Sequence, residues 1–213
     1  MSTLTGIVGQ DTVEAVGENG EVAIKCSKMG HLIVQDFFTQ MVIEGRGYQV
    51  RLGNLTTPLT GDINVTTVAA EASADALLGW TIIPVSFQVN CESHAGGTLP
   101  EAWAKSVGAV STAGAAFVPL PLLTNGSAAA TTARVAAAGG VTVTAESTTN
   151  TAVHFGNTIT TGPTDRLLAD HEFLPAPVLV GPTCFYVQIA ATTAGPVYFA
   201  HFDYIELPSA GVS

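Results

Sequence analysis

Short apolar segments separated by turn-forming residues constrain the fold of this chain more than any other feature. Runs rich in Val, Ile, Phe, Tyr and Thr recur along the sequence, and Gly, Pro and Asn residues bound them. Strand-forming residues between turn-forming boundaries are typical of β-strands. About ten to twelve such runs are present, at the spacing found in sandwiches and barrels. The sequence therefore predicts an all-β fold.

The clearest of these segments is Trp80 to Cys91, with the sequence WTIIPVSFQVNC. Its apolar residues alternate with polar ones, which predicts a strand with one buried face. The residues expected on that face are Ile83, Val85, Phe87, Val89 and Cys91. Pro84 cannot donate a ladder hydrogen bond, so we expect either an edge strand or a bulge there.

The same pattern predicts strands along the rest of the chain. They are Glu21 to Cys26, His31 to Phe38 with an extension to Ile43, Tyr48 to Leu52, Leu59 to Val68, FVPLPLL (117–123), VTVTAES (141–147), TAVHFGN (151–157), Pro177 to Val180, Cys184 to Ala191 and Pro196 to Leu207. Two short helices are also predicted. Val68 to Gly79 is rich in Ala and Leu and ends in Gly, and Leu99 to Val107 carries Pro100 in its first turn.

The length of the chain favours one domain. A chain of 213 residues is near the upper size for a single sandwich core and is short for two ordinary domains. Residues 1–20 contain acidic residues, an Asn-Gly turn signal and few large apolar groups. We therefore predict an N-terminal arm over 1–20, of the kind that docks on neighbours, and a single β-sandwich domain over 21–213.

The region from Ser106 to Thr164 has very little charge. Only Arg134 and Glu146 are charged among its 59 residues, and Ala and Thr are abundant. Such a surface would be poorly soluble if it were fully exposed on a monomer. We interpret it as a region that is buried between subunits.

The charge of the chain argues against nucleic-acid binding. It has 7 Lys and Arg against 17 Asp and Glu, for a formal net charge of -10, which repels a phosphate backbone. No stretch approaches the roughly 18 to 20 consecutive apolar residues of a membrane-spanning helix. We therefore expect neither direct contact with nucleic acid nor a membrane anchor.

The N-terminal sequence and the cysteines predict a protein outside the secretory route. MSTLTGIVGQDTVEAVG lacks the basic flank and apolar core of a secretory signal. Cys26, Cys91 and Cys184 are odd in number, widely spaced and set in strand-like runs. We expect them to be buried free thiols.

The sequence contains none of the common catalytic or cofactor motifs. The stretch from Gly108 to Gly114 places Ser111 at the wrong spacing for a nucleophile elbow. GxxxxGK[ST], GxGxxG and HExxH are all absent. We therefore predict no catalytic residues, no cofactor and no enzymatic activity.

His201 and Asp203 form the most suggestive pair for a metal. Their spacing places both side chains on one face of the last predicted strand. A β-barrel metal site would add a second His two residues away and a more distant Glu, and the sequence lacks them. We favour a hydrogen-bonded structural histidine over a metal ligand.

Asp165, Asp170, His171 and Glu172 lie close together between Pro- and Gly-containing segments. In one loop they could form a calcium site or an acid-base pair. A solvated acidic loop is the simpler interpretation, and we favour it. A small hydrolase that uses Asp165, Asp170 or Glu172 is one functional hypothesis, and it ranks after the two that are given below.

A carbohydrate-binding β-sandwich is the second alternative. Sugars stack on exposed aromatic side chains, and Trp80 and Trp103 are the candidates for such platforms. Because Trp103 lies in a predicted helix, we expect it to be a core anchor instead.

The C-terminal segment resembles the closing strand of jelly-roll structural proteins from tailed phages. A Gly195-Pro196 turn precedes the long strand VYFAHFDYIEL, which is nearly apolar on both faces and carries Glu206 near its end. A strand of this kind is central in its sheet or closes a subunit contact. The low charge, the abundance of Ala, Thr and Gly, and the N-terminal arm are similar to head-decoration, cement and fibre-base proteins of that group.

This resemblance implies a β-sandwich of jelly-roll type with one or two short helices. It also implies a bacteriophage virion structural protein that forms a homo-oligomer, with a trimer expected, on or within the capsid. Its partners would be copies of itself and other capsid or tail proteins. It would be located in the virion, after assembly in the host cytoplasm. Interface burial, and not catalysis, would be its mechanism.

Overall fold

The computed structural model describes residues 36–66, 70–93, 100–136, 140–158, 167–191 and 195–211. Strands dominate these ranges, and they contain one α-helix and a final 3-10 helix. In chain order the elements are α1 (Phe37–Ile43), β1 (Gly47–Leu52), β2 (Leu59–Thr60), β3 (Ala72–Ala76), β4 (Trp80–Ser93), β5 (Pro100–Val107), β6 (Thr112–Ala113), β7 (Ala115–Phe117), β8 (Leu120–Pro121), β9 (Thr132–Val135), β10 (Val141–Thr142), β11 (Thr151–Thr158), β12 (Leu167–Glu172), β13 (Leu179–Val180), β14 (Thr183–Ala191), β15 (Val197–Pro208) and η1 (Ser209–Gly211).

Two antiparallel sheets contain the long strands. Sheet I has the order β12-β4-β15-β1-β8, with β13 added beside β4 and β2 beside β15. Sheet II has the order β11-β5-β14-β3-β9-β7. The short strands β6 and β10 pair with each other.

The path of the chain between the sheets defines the topology. Four strands of sheet I, in the order β12-β4-β15-β1, face four strands of sheet II, in the order β11-β5-β14-β3. Successive long strands cross from one sheet to the other except at the β5–β11 connection, which stays in sheet II. This is the strand order of an eight-stranded jelly roll. The predicted β-sandwich of jelly-roll type is confirmed.

The core lies between the two sheets. Phe87 and Val89 of β4, and Phe202 and Tyr204 of β15, face Phe185 and its neighbours on β14. Phe185 and Phe202 meet edge to face, with ring centroids 5.2 Å apart. Burial of this apolar area, at roughly 25 cal/mol per Å², is the main force that holds the sheets together.

The connection between β5 and β11, residues 108–150, covers the outer face of sheet II. Cys184 and Tyr186 of β14 point away from the core, yet both are buried. They pack with Val107 and with Val141 and Val143 of the connection. Part of the low-charge region from 106 to 164 is therefore buried inside the subunit, where we had expected burial between subunits.

Helix α1 covers one end of the outer face of sheet I. Met41 of the helix packs on Ile83 and Ile205, with Val85 and Leu207 beside them. The Asp36 side chain caps the helix by accepting a hydrogen bond of 2.9 Å from the Thr39 N–H. The rest of this face has no such cover among the described residues.

The long predicted strands are confirmed with small changes of boundary, at β1, β4, β11, β14 and β15. A bulge occurs at Pro84, which was one of the two outcomes expected there. Asp203 pairs with Ser86, but the next residue, Tyr204, pairs with Pro84, so the register skips one residue of β4. A bulge inverts the alternation that follows. Val85 consequently packs under α1, whereas Phe87 faces the core, so the prediction of one common face was wrong.

Both predicted helices are strands, and a predicted strand is a helix. Ala72–Ala76 forms β3, which pairs with β14 along one edge and with β9 along the other. Both faces of this strand are buried, so only small side chains fit. Pro100–Val107 forms β5 between β11 and β14. Sheet pairing overrides local helix propensity in each case. The end of the predicted strand at His31 to Phe38 and its extension to Ile43 were wrong because α1 occupies Phe37–Ile43, whereas residues 31–35 lie outside the described residues.

Other short predicted segments are shorter than expected. Of the predicted strand Leu59 to Val68, residues 59–66 are described and contain one strand, Leu59–Thr60, and residues 67–68 lie outside the described residues. In the connection over sheet II, the predicted strands at 117–123 and 141–147 are reduced to two- and three-residue pieces. The predicted arm over 1–20, the predicted strand at 21–26 and Cys26 lie outside the described residues.

Candidate functional site

The uncovered part of sheet I is the candidate functional site. The strand register places eight polar side chains on it in two rows, each crossing four strands. One row is Glu172, Ser86, Asp203 and Gln49, and the other is Asp170, Gln88, His201 and Arg51. We call this surface the open face. Its residues are exposed or half-buried.

Hydrogen bonds order the centre of the open face. Gln49 Nε2 donates to Asp203 Oδ1 at 2.8 Å, and Ser86 Oγ donates to Asp203 Oδ2 at 2.9 Å. Arg51 Nε donates to Gln49 Oε1 at 2.7 Å. These bonds fix side chains from three neighbouring strands, so the open face is organised before any ligand arrives.

Two shallow hollows flank the rows. The first has a volume of about 290 Å³ and is lined by Arg51, Gly53, Asn54, Leu55, Gln88, Phe199, Ala200 and His201. The second, of about 430 Å³, is lined by Asp36, Phe38, Val85, Ser86, Glu172, Phe173, Leu174 and Asp203. The first hollow contains a cationic side chain, whereas the second is acidic and apolar.

His201 and Asp203 share one face of β15, as predicted. Both carboxylate oxygens of Asp203 accept hydrogen bonds from neighbouring strands. Among the described residues, no three His, Cys, Asp or Glu side chains are arranged to hold a metal ion. His201 is half-buried beside the first hollow, and no hydrogen bond joins its side chain to another described residue. The expectation of a hydrogen-bonded structural histidine is thus not met in this part of the chain.

The predicted acidic cluster does not form a loop. Asp170, His171 and Glu172 belong to strand β12, and Asp165 lies outside the described residues. Asp170 and Glu172 are on the open face, whereas the His171 ring points inward and contacts the Phe155 ring at a centroid distance of 4.8 Å. Strand alternation therefore separates His171 from its two acidic neighbours.

Both tryptophans lie on strands and are half-buried. Trp103 lies on β5, and its ring covers Gly156 on the neighbouring strand. Its Nε1 donates to Glu101 at 2.9 Å, and the Lys105 ammonium is 5.3 Å from the ring centroid. The expectation that Trp103 anchors the core from a helix was wrong. Trp80 begins β4 and is half-buried.

Two acids, Asp75, which is buried, and Glu146, which is exposed, hold the cover on sheet II. Asp75 accepts hydrogen bonds of 2.8 Å from the backbone N–H and from the hydroxyl of Ser111. Glu146 bonds the Lys105 ammonium at 3.0 Å and accepts from the Tyr186 hydroxyl at 2.7 Å. Each bond joins the connection to a strand of sheet II, so these acids are structural.

Glu206 has a similar role at the end of β15. Its two carboxylate oxygens accept from the backbone N–H groups of Ala130 and Thr131, at 2.9 and 2.7 Å. The Thr131 hydroxyl also bonds the Tyr204 hydroxyl at 2.7 Å. The resemblance of the C-terminal segment included this Glu, but only the structure shows what it binds.

Glu71 is the most perturbed acid. It is 3% exposed, and its Oε2 accepts a hydrogen bond of 2.9 Å from the Tyr198 hydroxyl, whereas Oε1 has no hydrogen-bond partner among the described residues. Burial raises the pKa of Glu71 to about 8; the Tyr198 bond opposes this effect, and the charge of Asp62 adds to it. No signal in the local sequence distinguishes this residue from an exposed Glu.

Cys91 and Cys184 are buried free thiols, as predicted. Burial raises the pKa of both thiols, and the neighbouring Asp75 charge raises that of Cys184 further. Both are therefore protonated and weakly nucleophilic at neutral pH.

Comparisons of the chain with models of known protein families, with curated proteins and with solved structures give no match. None of the helices in the described ranges has the length and hydrophobicity needed to span a membrane. The surfaces of the molecule itself are therefore the basis for a proposed function.

Proposed function

We propose that this protein is a structural subunit of a bacteriophage virion, which assembles as a symmetric homo-oligomer on or within the capsid. A trimer is the expected assembly. The single observation that carries the proposal is a group of exposed apolar side chains at one end of the jelly roll. This apolar end comprises Leu77, Leu78, Val178 and Val180.

The members of the apolar end lie on two adjoining connections. Residues 77–79 join β3 to β4, and residues 173–182 join β12 to β14. Gly181 packs directly against the carbonyl oxygens of Ala76 and Leu77, with no room for a Cβ. Its N–H also donates to Trp80 O at 2.9 Å. The two connections therefore form one surface.

This surface is unusual in its exposure and in its lack of charge. Leu78 is 83% exposed, and Val178 and Val180 are each 51% exposed. Neither connection contains a charged residue. Large apolar patches on soluble proteins commonly mark interaction sites, and their burial supplies roughly 25 cal/mol per Å² before association costs. A second copy of the chain is the partner that the proposal assigns to this end.

The experiment compares molecular mass across concentrations by light scattering, with negative-stain microscopy of the same samples. We expect the unmodified chain to form a closed oligomer and the Leu78→Asp, Val180→Asp double variant to be monomeric. Leu55→Asp is the matched control, because Leu55 is 72% exposed but lies outside the apolar end. A monomeric unmodified chain would refute self-assembly, and an unchanged mass of the double variant would refute this surface.

A further inference from the structure

The first hollow of the open face is rich in hydrogen-bond donors that the described residues do not use. Arg51 uses Nε on Gln49, and its other N–H groups make no hydrogen bond within the described part of the chain. Asn54 Oδ1 accepts from the Thr56 and Thr57 N–H groups, both at 2.9 Å, which leaves Nδ2 as a donor. Arg51 and Asn54 therefore offer donors to the hollow, whereas the Gln49 and Asn54 side-chain oxygens are already occupied.

Gln88 and His201 complete the polar lining. Each lies directly opposite the other on neighbouring strands, and His201 is also directly opposite Arg51. Neither the Gln88 nor the His201 side chain bonds a described residue. A carboxylate is an acceptor-only group that fits the planar fork of a guanidinium, and hydroxyl groups pair readily with amides and imidazoles.

The apolar part of the hollow is provided by Phe199 and Leu55. Phe199 lies on the open face because its neighbours Tyr198 and Ala200 point into the core. Its ring is half-buried beside the donors. An aromatic or aliphatic patch next to planar polar side chains suits the C–H face of a sugar ring. A volume of about 290 Å³ is sufficient for one or two such rings.

The position of the hollow argues against a peptide or a phosphate ester. It lies over the inner strands β4, β15 and β1, whose backbone groups pair within sheet I, so a peptide cannot extend the sheet here. Among the described residues, Arg51 is the only Lys or Arg that lines it, and Asp170 and Asp203 lie elsewhere on the same face. These acids would repel a ligand with two or more charges on a single unit, such as a phosphate ester.

We propose that this hollow binds a saccharide with one carboxylate on each sugar ring, such as a uronic acid or a short chain of uronic acids. Arg51 holds the carboxylate, Gln88, Asn54 and His201 bond the hydroxyl groups, and Phe199 contacts the ring. This site is independent of the apolar end, so its failure and the failure of self-assembly are separate results.

The test is titration of the full chain with digalacturonate, followed by calorimetry and by NMR of the His201 ring. The fully methyl-esterified disaccharide is the uncharged control. We expect saturable binding of the acid, at least tenfold weaker binding of the ester, and a shift of the His201 resonances. Arg51→Gln should weaken binding at least tenfold, and Phe199→Leu several-fold.

Arg46→Gln is the matched control variant, because Arg46 lies 3.7 Å from Glu44 and outside the hollow. It should bind digalacturonate as the unmodified chain does. The proposal is overturned if digalacturonate does not bind, or if the ester binds equally well. It is also overturned if a diglutamate peptide binds as tightly, or if Arg51→Gln has no effect. The NMR shift tests the site in the unmodified chain even if a variant fails to fold.

Discussion

The outer faces of the two sheets differ in how far their polar groups are shielded from water. On sheet II, the connection over residues 108–150 covers the sheet, and Asp75, 1% exposed, is surrounded by donors from Ser111. On sheet I, Asp203 also accepts two hydrogen bonds, but it lies half-buried on the open face. Similar bonds therefore lie in very different dielectric surroundings.

The two faces differ in what the loss of a hydrogen-bond partner costs. A buried carboxylate is tolerated only when its oxygens are paired, so a partner lost on sheet II leaves an unsatisfied buried group. On the open face, water replaces a lost partner. The covered face should thus dominate the free energy of unfolding, whereas the open face can change with little cost to the fold.

The largest expected effect is at Asp75. In Asp75→Asn, an amide nitrogen replaces one carboxylate oxygen and confronts the donors of Ser111 in a buried site. We expect a loss of about 3 kcal/mol in the free energy of unfolding, measured by urea denaturation. The matched variant on the open face, Asp203→Asn, should lose less than about 1 kcal/mol. Equal losses at the two sites would remove the distinction between the faces.

The second-largest expected effect is the pH dependence of the free energy of unfolding that Glu71 produces. Its pKa rises from 4.5 to about 8 on folding, mainly because the carboxyl is buried. Between these two values the folded state holds a proton that the unfolded state has released, so stability falls as pH rises. One such group contributes a slope of up to about 1.4 kcal/mol per pH unit.

The measurement is urea denaturation of the unmodified chain and of Glu71→Gln from pH 5 to pH 8. The variant keeps an acceptor for the Tyr198 hydroxyl but cannot titrate. His154 contributes in the opposite sense, since burial lowers its pKa, but it is present in both proteins and cancels in the difference. The unmodified chain should lose more stability than the variant as pH rises. Parallel pH profiles would show that Glu71 is ionised throughout.

The sequence predicted the long strands because their signal is local. β4 and β15 alternate in polarity or are nearly continuous in apolar residues, and their boundaries carry Gly and Pro. β3 was missed because the sequence ASADALLG has the composition of a helix. Its strand conformation comes from pairing with β14 and β9, which are distant in sequence.

The sites show the same limit. The shared face of His201 and Asp203 follows from their spacing, and the structure confirms it. The rows that cross four strands depend on register between distant strands, which periodicity does not encode. The bond between Ser111 and Asp75 likewise spans 36 residues. Local pattern predicts which way a side chain points, whereas long-range pairing determines what it meets.

The smallest expected effect is the coupling between Gln49 and Asp203. Their hydrogen bond of 2.8 Å joins β1 to β15 on the open face. In a double-mutant cycle with Gln49→Ala and Asp203→Ala, we expect a coupling energy of about 0.5 kcal/mol, because water competes for both groups. The cycle of Lys105→Met and Glu146→Gln on the covered face should give about 1 to 2 kcal/mol, since Lys105 is buried. A stronger coupling on the open face would mean that its polar rows are held rigidly without cover. The two faces would then differ in accessibility alone.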